Sequence, residues 1–234
     1  MGVDLVDNIA DTGLSGSPIY ISDLDRCQPG EAISSKAEPG RWRMYDYEVP
    51  TFSGVMLMAG PETQAPDISY PLEVNGWHAV SIGFYSTTRG LSGINDFLVR
   101  LSGDDTFSLL DPTRADAFEQ QQQLEEIYWK TANLTDARIV FRQLARRRGP
   151  GEGSGIVECG PARIAYIKLV PLSDFEVESL SQDREDSGNK RLFAHNDSLS
   201  FLNHYRPTTA EEIRRQVEPY RDTDFSRLYW EIGA

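Results

Sequence analysis

Between residues 17 and 172 the chain alternates apolar and polar residues in short runs that turn signals cut apart. Over 41–49, Trp42 and Met44 oppose Arg43, Tyr45 and Tyr47, the period-two pattern of a half-buried strand. Residues 18–21 and the nearly continuous apolar run 55–59, closed by Gly60-Pro61, read as two further strands. The segment 70–74 precedes Asn75-Gly76, a hairpin-type turn signal, and the strand 77–85 follows. In that strand Trp77, Ala79, Ser81 and Gly83 share one face, and His78, Val80, Ile82 and Phe84 the other. Strands are also predicted at 97–101, 127–130, 137–141 and 162–170, with a short helical turn around 115–123. Eight to ten short strands joined by long loops predict a mainly β fold, a jelly-roll-like β-sandwich.

The pattern changes after Pro171. Residues 173–189 are acidic and polar and read as a linker. In 190–234 a short strand, 191–194, ends in His195-Asn196-Asp197-Ser198, a helix is expected over 208–220, and a second strand follows at 225–232. Thr208-Thr209-Ala210-Glu211 has the form of a capping box, with Thr208 as the cap, and Ile213 and Val217 fall on one helix face. This is an incomplete β-α-β unit of the kind that opens a TIM-type barrel. Alone it cannot cover both faces of its sheet. The expected organisation is therefore a sandwich over 1–172, a linker over 173–189 and the first β-α-β unit of a truncated barrel over 190–234, with a partly apolar, unpaired edge on the last strand.

Composition narrows the function. A hydrophobic content of 39% with 25% charged residues suits a packed domain. A net charge of −13 argues against nucleic acid as a partner, since phosphate binding needs a basic surface. The one basic cluster, Arg146-Arg147-Arg148, precedes Gly149-Pro150-Gly151 and reads as a solvated loop. No run approaches the ~18 apolar residues of a membrane span. Residues 1–10 are acidic in part and lack the apolar core of a secretory signal, from which a cytoplasmic location is expected. Cys27 and Cys159 stand far apart and fit neither a disulfide framework nor a zinc site; two separate thiols are expected, with a single bridge between the ends of one domain as the alternative.

Candidate chemistry lies in two places. At the strand ends of 190–234, His195, Asn196, Asp197, Trp230 and Glu231 are positioned for substrate contact, and Asp197 and Glu231 are candidates for carboxylate catalysis. The bland alternatives are a loop or cap role for Asp197, an internal ion pair for Glu231 and simple packing for Trp230. In the sandwich, Tyr45, Tyr47 and Tyr85 are the outward aromatic candidates for stacking on sugar rings, while most other aromatics belong in the core. Asp23, Asp25, Asp104 and Asp105 are loop acids able to hold a structural calcium, although no EF-hand spacing exists and ordinary turn roles suit them better. His78 and His204 have no partners at metal-ligand spacing, so no metal centre is expected, and no phosphate loop, GxGxxG, GxSxG or CxxC motif occurs.

The passage from Ile164-Ala165-Tyr166-Ile167-Lys168-Leu169-Val170-Pro171-Leu172 into Arg191-Leu192-Phe193-Ala194-His195-Asn196-Asp197, then Tyr205-Arg206-Pro207-Thr208-Thr209 and Leu228-Tyr229-Trp230-Glu231, resembles a group of bacterial glycoside-hydrolase-like proteins. In these a β-sandwich precedes a (β/α)8 barrel. The resemblance implies carbohydrate as the partner, a sandwich that supports the barrel or binds glycan, and catalytic groups supplied by later barrel strands. The alternative is a non-catalytic carbohydrate-binding or structural scaffold sandwich.

Overall fold

The structure is a computed structural model and describes residues 16–50, 52–61, 63–86, 97–110, 123–147, 157–185, 192–196, 207–220 and 225–230. Its strands are Ile19–Ile21 (β1), Ile33–Ser34 (β2), Trp42–Glu48 (β3), Ser53–Ala59 (β4), Ile68–Pro71 (β5), Trp77–Ser86 (β6), Phe97–Leu101 (β7), Ser108–Leu110 (β8), Gln123–Asn133 (β9), Arg138–Gln143 (β10), Ala145–Arg147 (β11), Val157–Cys159 (β12) and Ala162–Pro171 (β13). The helix Asp174–Glu185 (α1), strand Leu192–Asn196 (β14), helix Ala210–Val217 (α2) and strand Phe225–Trp230 (β15) complete the series.

Two sheets form the sandwich. The larger has seven strands in the order β2-β3-β4-β13-β6-β9, and β1 also joins β13. The smaller runs β5-β10-β7-β8. Pairing is antiparallel throughout both sheets, except between β2 and β3. Alternation explains which residues meet between the sheets. Val80, Ile82 and Phe84 of β6 join Ile139 and Phe141 of β10 and Phe97, Val99 and Leu101 of β7 in one buried cluster. The arrangement is the expected mainly β, jelly-roll-like sandwich.

Buried polar groups hold the end of this core. Gln143 is fully buried; its amide donates to Gly60 O and Gly160 O, each at 2.7 Å, and its Oε1 accepts from Ala65 N at 2.8 Å. Every bond lost here would leave an unpaired polar atom in the interior, so the glutamine locks the β4–β5 and β12–β13 loops together. Buried Trp42 similarly donates its indole N–H to Pro66 O at 2.8 Å.

Several local expectations change. Asn75-Gly76 does not close a hairpin, because β5 pairs with β10 in the smaller sheet and β6 with β13 and β9 in the larger. The turn instead carries the chain between sheets, with Gly76 at φ 85° and its N–H donating to Thr135 Oγ1 at 3.0 Å. Arg146 and Arg147 lie in β11, which pairs with β12, rather than in a loop. Residues 111–122, the bulk of the proposed helical turn, lie outside the described residues, and Gln123 begins β9.

The acidic stretch after the sandwich forms the helix α1, which starts at its own capping box: Ser173 Oγ accepts from Glu176 N at 3.3 Å, and Glu176 Oε2 accepts from Ser173 N at 2.7 Å. Beyond it, β14 and β15 pair in parallel, as a β-α-β connection requires. The cap of α2 is Thr209 with Glu212, one residue later than expected from Thr208 and Glu211. Both frames fit the sequence. Glu212 Oε2 accepts from the backbone N–H groups of Thr208 and Thr209 at 2.6 and 3.0 Å, so one carboxylate serves both threonines. The helix and the following turn Glu218–Tyr220 lie against β8. Among the described residues β15 pairs with β14 alone, and Leu192, Phe193 and Tyr229 of this small sheet are exposed.

Candidate functional site

The side of the seven-stranded sheet turned away from the sandwich core carries a concentration of aromatic and charged side chains. A bulge builds it. In β13 the register slips between Ile164 and Tyr166, so Ile164 and Ile167 both reach the core while Arg163, Tyr166 and Lys168 emerge outside. Strict alternation would have placed Tyr166 on the core side with Ile164. Tyr47 donates its hydroxyl proton to Ala165 O, at the bulge, at 3.0 Å.

Glycine makes room for the ring that results. Tyr166 and Glu126 both stand opposite Gly83, in β13 and β9 respectively. A Cβ on Gly83 would meet Tyr166 Cε1 at 2.1 Å, so the phenol lies across the backbone of β6 and reaches the next strand. There its hydroxyl donates to Glu126 Oε2 at 2.9 Å, and Lys168 Nζ lies 3.1 Å from Glu126 Oε1. Burial, followed by the neighbouring Glu126 charge and its hydrogen bond, pushes the Tyr166 hydroxyl well above the usual phenol range. Phe52 packs edge-on to both Tyr166 and Tyr47, at 5.2 and 6.1 Å between centroids, and stacks on Tyr20 at 5.0 Å.

Around this floor stand more exposed aromatics. In one row across four strands, Tyr20 pairs with Lys168, Lys168 with Ser81 and Ser81 with Tyr128. Tyr20, Tyr128 and Trp77, the last near the start of β6, keep 42%, 47% and 37% of their surface exposed. Tyr128 and Thr131 share a hydroxyl–hydroxyl hydrogen bond of 2.9 Å. In β9 alternation sends Ile127 and Trp129 to pack against the core cluster while Tyr128 stays outside, and a second register shift, opposite Val80 and Ser81, follows.

All three tyrosines proposed from the sequence lie on this face. Tyr45, Tyr47 and Tyr85 are partly buried against the cluster formed by Val49, Met56, Leu124, Ala165 and Tyr166. Their environments differ. The Tyr47 hydroxyl is engaged by the backbone and its proton is held well above the ordinary range by burial, whereas Tyr45 lies under the Arg43 guanidinium, 4.3 Å from its ring centroid. Sequence inspection did not select Tyr20, Tyr128, Arg43, Arg163, Glu126 or Lys168, and it grouped Trp77 with the core aromatics. For Arg43 the alternation of 41–49 was a usable signal, as was that of Ile127 and Trp129 for Tyr128; for Tyr166 the bulge erased it.

The second proposed group is only partly placed. His195 lies opposite Tyr229 and Asn196 opposite Trp230, so the carboxyl-terminal ends of two parallel strands are level. His195 is exposed. Asp197 and Glu231 lie outside the described residues, as do the side chains of Asn196 and Trp230.

Two of the loop acids considered for calcium have other partners. Asp23 accepts from Tyr70 Oη at 2.7 Å and from Arg26 Nη1 at 3.0 Å. Although burial alone would raise its pKa, these bonds hold it below the usual carboxylate value. Asp104 Oδ2 accepts from Lys130 Nζ at 2.6 Å and from Leu101 N at 2.8 Å, tying the turn after β7 to β9. Among the described residues no three His, Cys, Asp or Glu side chains are grouped to hold a metal ion. Cys27 and Cys159 are buried free thiols, and burial pushes the Cys27 thiol up to about 12, which removes the reactive thiolate. Among the described residues no helix is long and apolar enough to cross a membrane.

No family model matches the chain, and no curated protein matches it. Solved structures with partial likeness include a family 35 carbohydrate binding module from Clostridium thermocellum, at 12% identity and a TM-score of 0.36, over 66% of this chain and 98% of that one. A CBM35 from Cellvibrio japonicus aligns at 10% identity and 0.34, over 67% and 95%. An exo-beta-1,3-galactanase from Phanerochaete chrysosporium, solved with galactose, aligns at 14% identity and 0.32; this chain spans 66% of its own length and only 29% of that protein. At such scores nothing about ligand or activity transfers to this chain.

Proposed function

We propose that this chain is a carbohydrate-contacting part of a glycoside-hydrolase-like protein and that the outer face of its seven-stranded sheet is the glycan surface. The observation that carries the reading is the set of half-exposed rings, Tyr20, Trp77 and Tyr128, on one face of one sheet. Aromatic faces stack on the apolar C–H faces of sugar rings, and a polar edge beside them gives orientation. Lys168, Glu126 and Thr131 supply that edge. Tyr20 and Tyr128 are three strand spacings apart, about 14 Å at ~4.8 Å per strand, a separation suited to an extended oligosaccharide rather than a single sugar. In this reading the C-terminal β-α-β unit opens a glycoside-hydrolase-like barrel, with His195, Asn196, Asp197, Trp230 and Glu231 at its mouth.

Affinity electrophoresis of the full chain through gels cast with soluble polysaccharides tests the glycan surface. Retardation is expected on at least one polysaccharide, weakened about 5-fold or more by Tyr128→Ala and by Tyr20→Ala, the scale at which a well-packed aromatic contact contributes. Free migration on every polysaccharide, or retardation that both variants retain in full, overturns the reading and favours a scaffold sandwich without sugar affinity.

A further inference from the structure

Arg43, Met58 and Arg163 form a continuous row across β3, β4 and β13 on the proposed glycan face. The two arginine backbones are about 10 Å apart, two strand spacings, within reach of one another's long side chains. Arg43 Nε and both Nε and Nη1 of Arg163 are buried without a hydrogen-bond partner. Among the described residues neither guanidinium has a carboxylate in ion-pair range. Phenols lie beside them instead: Arg43 lies over the Tyr45 ring, 4.3 Å from its centroid, and Tyr45 and Tyr85 are near Arg163.

This contrasts with the arginines elsewhere on the sandwich. Arg142 makes a two-pronged pair with Asp67, at 2.8 and 2.7 Å, and Arg26 and Arg41 each pair with an acid. Arg41 and Arg100 also leave Nε unpaired, but their guanidinium ends donate to Glu38 and to Asp104 O, and that of Arg138 donates to Ser69 Oγ; among the described residues no such bond is made by Arg43 or Arg163. Desolvated donors on a planar fork are matched by a two-oxygen anion. The acidic surface as a whole repels anions, so an anion held here needs a local site.

We propose that the Arg43–Arg163 row is a subsite for an oxyanion substituent, a carboxylate or a sulfate, carried on the glycan that the neighbouring aromatics stack against. The inference deepens the proposed function and rests on it. The full chain is tested by affinity electrophoresis and calorimetry with polygalacturonate, with the same polymer methyl-esterified, with dextran sulfate and with uncharged dextran. Tighter binding to polygalacturonate than to its ester identifies the carboxylate; preference for dextran sulfate over dextran identifies the sulfate. Arg163→Gln and Arg43→Gln should each weaken the preferred anionic ligand 10-fold or more, while Arg214→Gln, which removes the same charge from an exposed helix position, should leave it within 2-fold. Arg43→Gln alters a partly exposed side chain, and an unchanged thermal midpoint separates lost binding from lost folding. Equal binding of charged and uncharged polymers, or an equal effect of all three arginine variants, overturns the subsite while the glycan surface stands. Absence of binding to all four polymers and to every other polysaccharide overturns both.

Discussion

Gly83→Ala probes the packing on which the outer face depends. The added Cβ would lie 2.1, 2.3 and 2.4 Å from Cε1, Cδ1 and Cζ of Tyr166, where carbon atoms attract only at about 3.5–4.0 Å. The ring must therefore move or the strand must shift. If the ring moves, its hydrogen bond to the Glu126 carboxylate is lost, a cost of about 1.5–3 kcal/mol. If the strand gives way instead, overpacking strain of about 1–3 kcal/mol replaces that loss. Alanine recovers about 0.4–1 kcal/mol through the unfolded chain. With the ring displaced, the net expectation is a destabilisation of about 0.5–2.6 kcal/mol, seen as a lower urea midpoint at unchanged slope. A double-mutant cycle isolates the contact: in a Tyr166→Leu background the same Gly83→Ala change should lose most of its cost, giving a coupling of about 1 kcal/mol or more. Strict additivity, or a Gly83→Ala protein as stable as the parent, would refute the packing argument.

Two other outcomes follow from the same structure. Burial raises the hydroxyl pKa values of Tyr166, Tyr47 and Tyr70 in the folded chain, the last two with Ala165 O and Asp23 as hydrogen-bond acceptors. Their contribution to stability is complete below the unfolded phenol value of about 10 and declines as pH rises above it, by about 1.4 kcal/mol per pH unit for each phenol kept neutral in the fold. Urea midpoints followed into alkali should fall more gently for Tyr166→Phe than for the parent, and equal slopes would count against the buried phenol. Thr209→Ala should destabilise α2 by about 1 kcal/mol, whereas Thr208→Ala should cost less, because Glu212 N donates to Thr209 Oγ1 and Thr208 binds only from outside the cap. Exchange rates of the amides of α2 report the difference, and a larger effect at Thr208 would restore the earlier capping frame.

What was readable in the sequence was local. Alternation in 77–85 identified Val80, Ile82 and Phe84 as core, and the change of pattern after Pro171 marked a parallel β-α-β unit whose strands the structure pairs at His195–Tyr229 and Asn196–Trp230. Tyr45 and Tyr47 could be placed outside because Trp42 demands the inside. What the tertiary structure decided was everything that depends on a partner strand. Asn75-Gly76 favours reversal, but whether the next strand returns to its neighbour or crosses to the other sheet is set by β10 and β13 competing for pairing. The bulges in β13 and β9 shift parity by one residue, and a shift of one turns a side chain from core to surface. The bulge in β13 is why Tyr166 faces outward beside Tyr20 and Arg163, residues far apart in the chain. A period of two fixes sides within a strand; only register between strands fixes which of those sides become one surface.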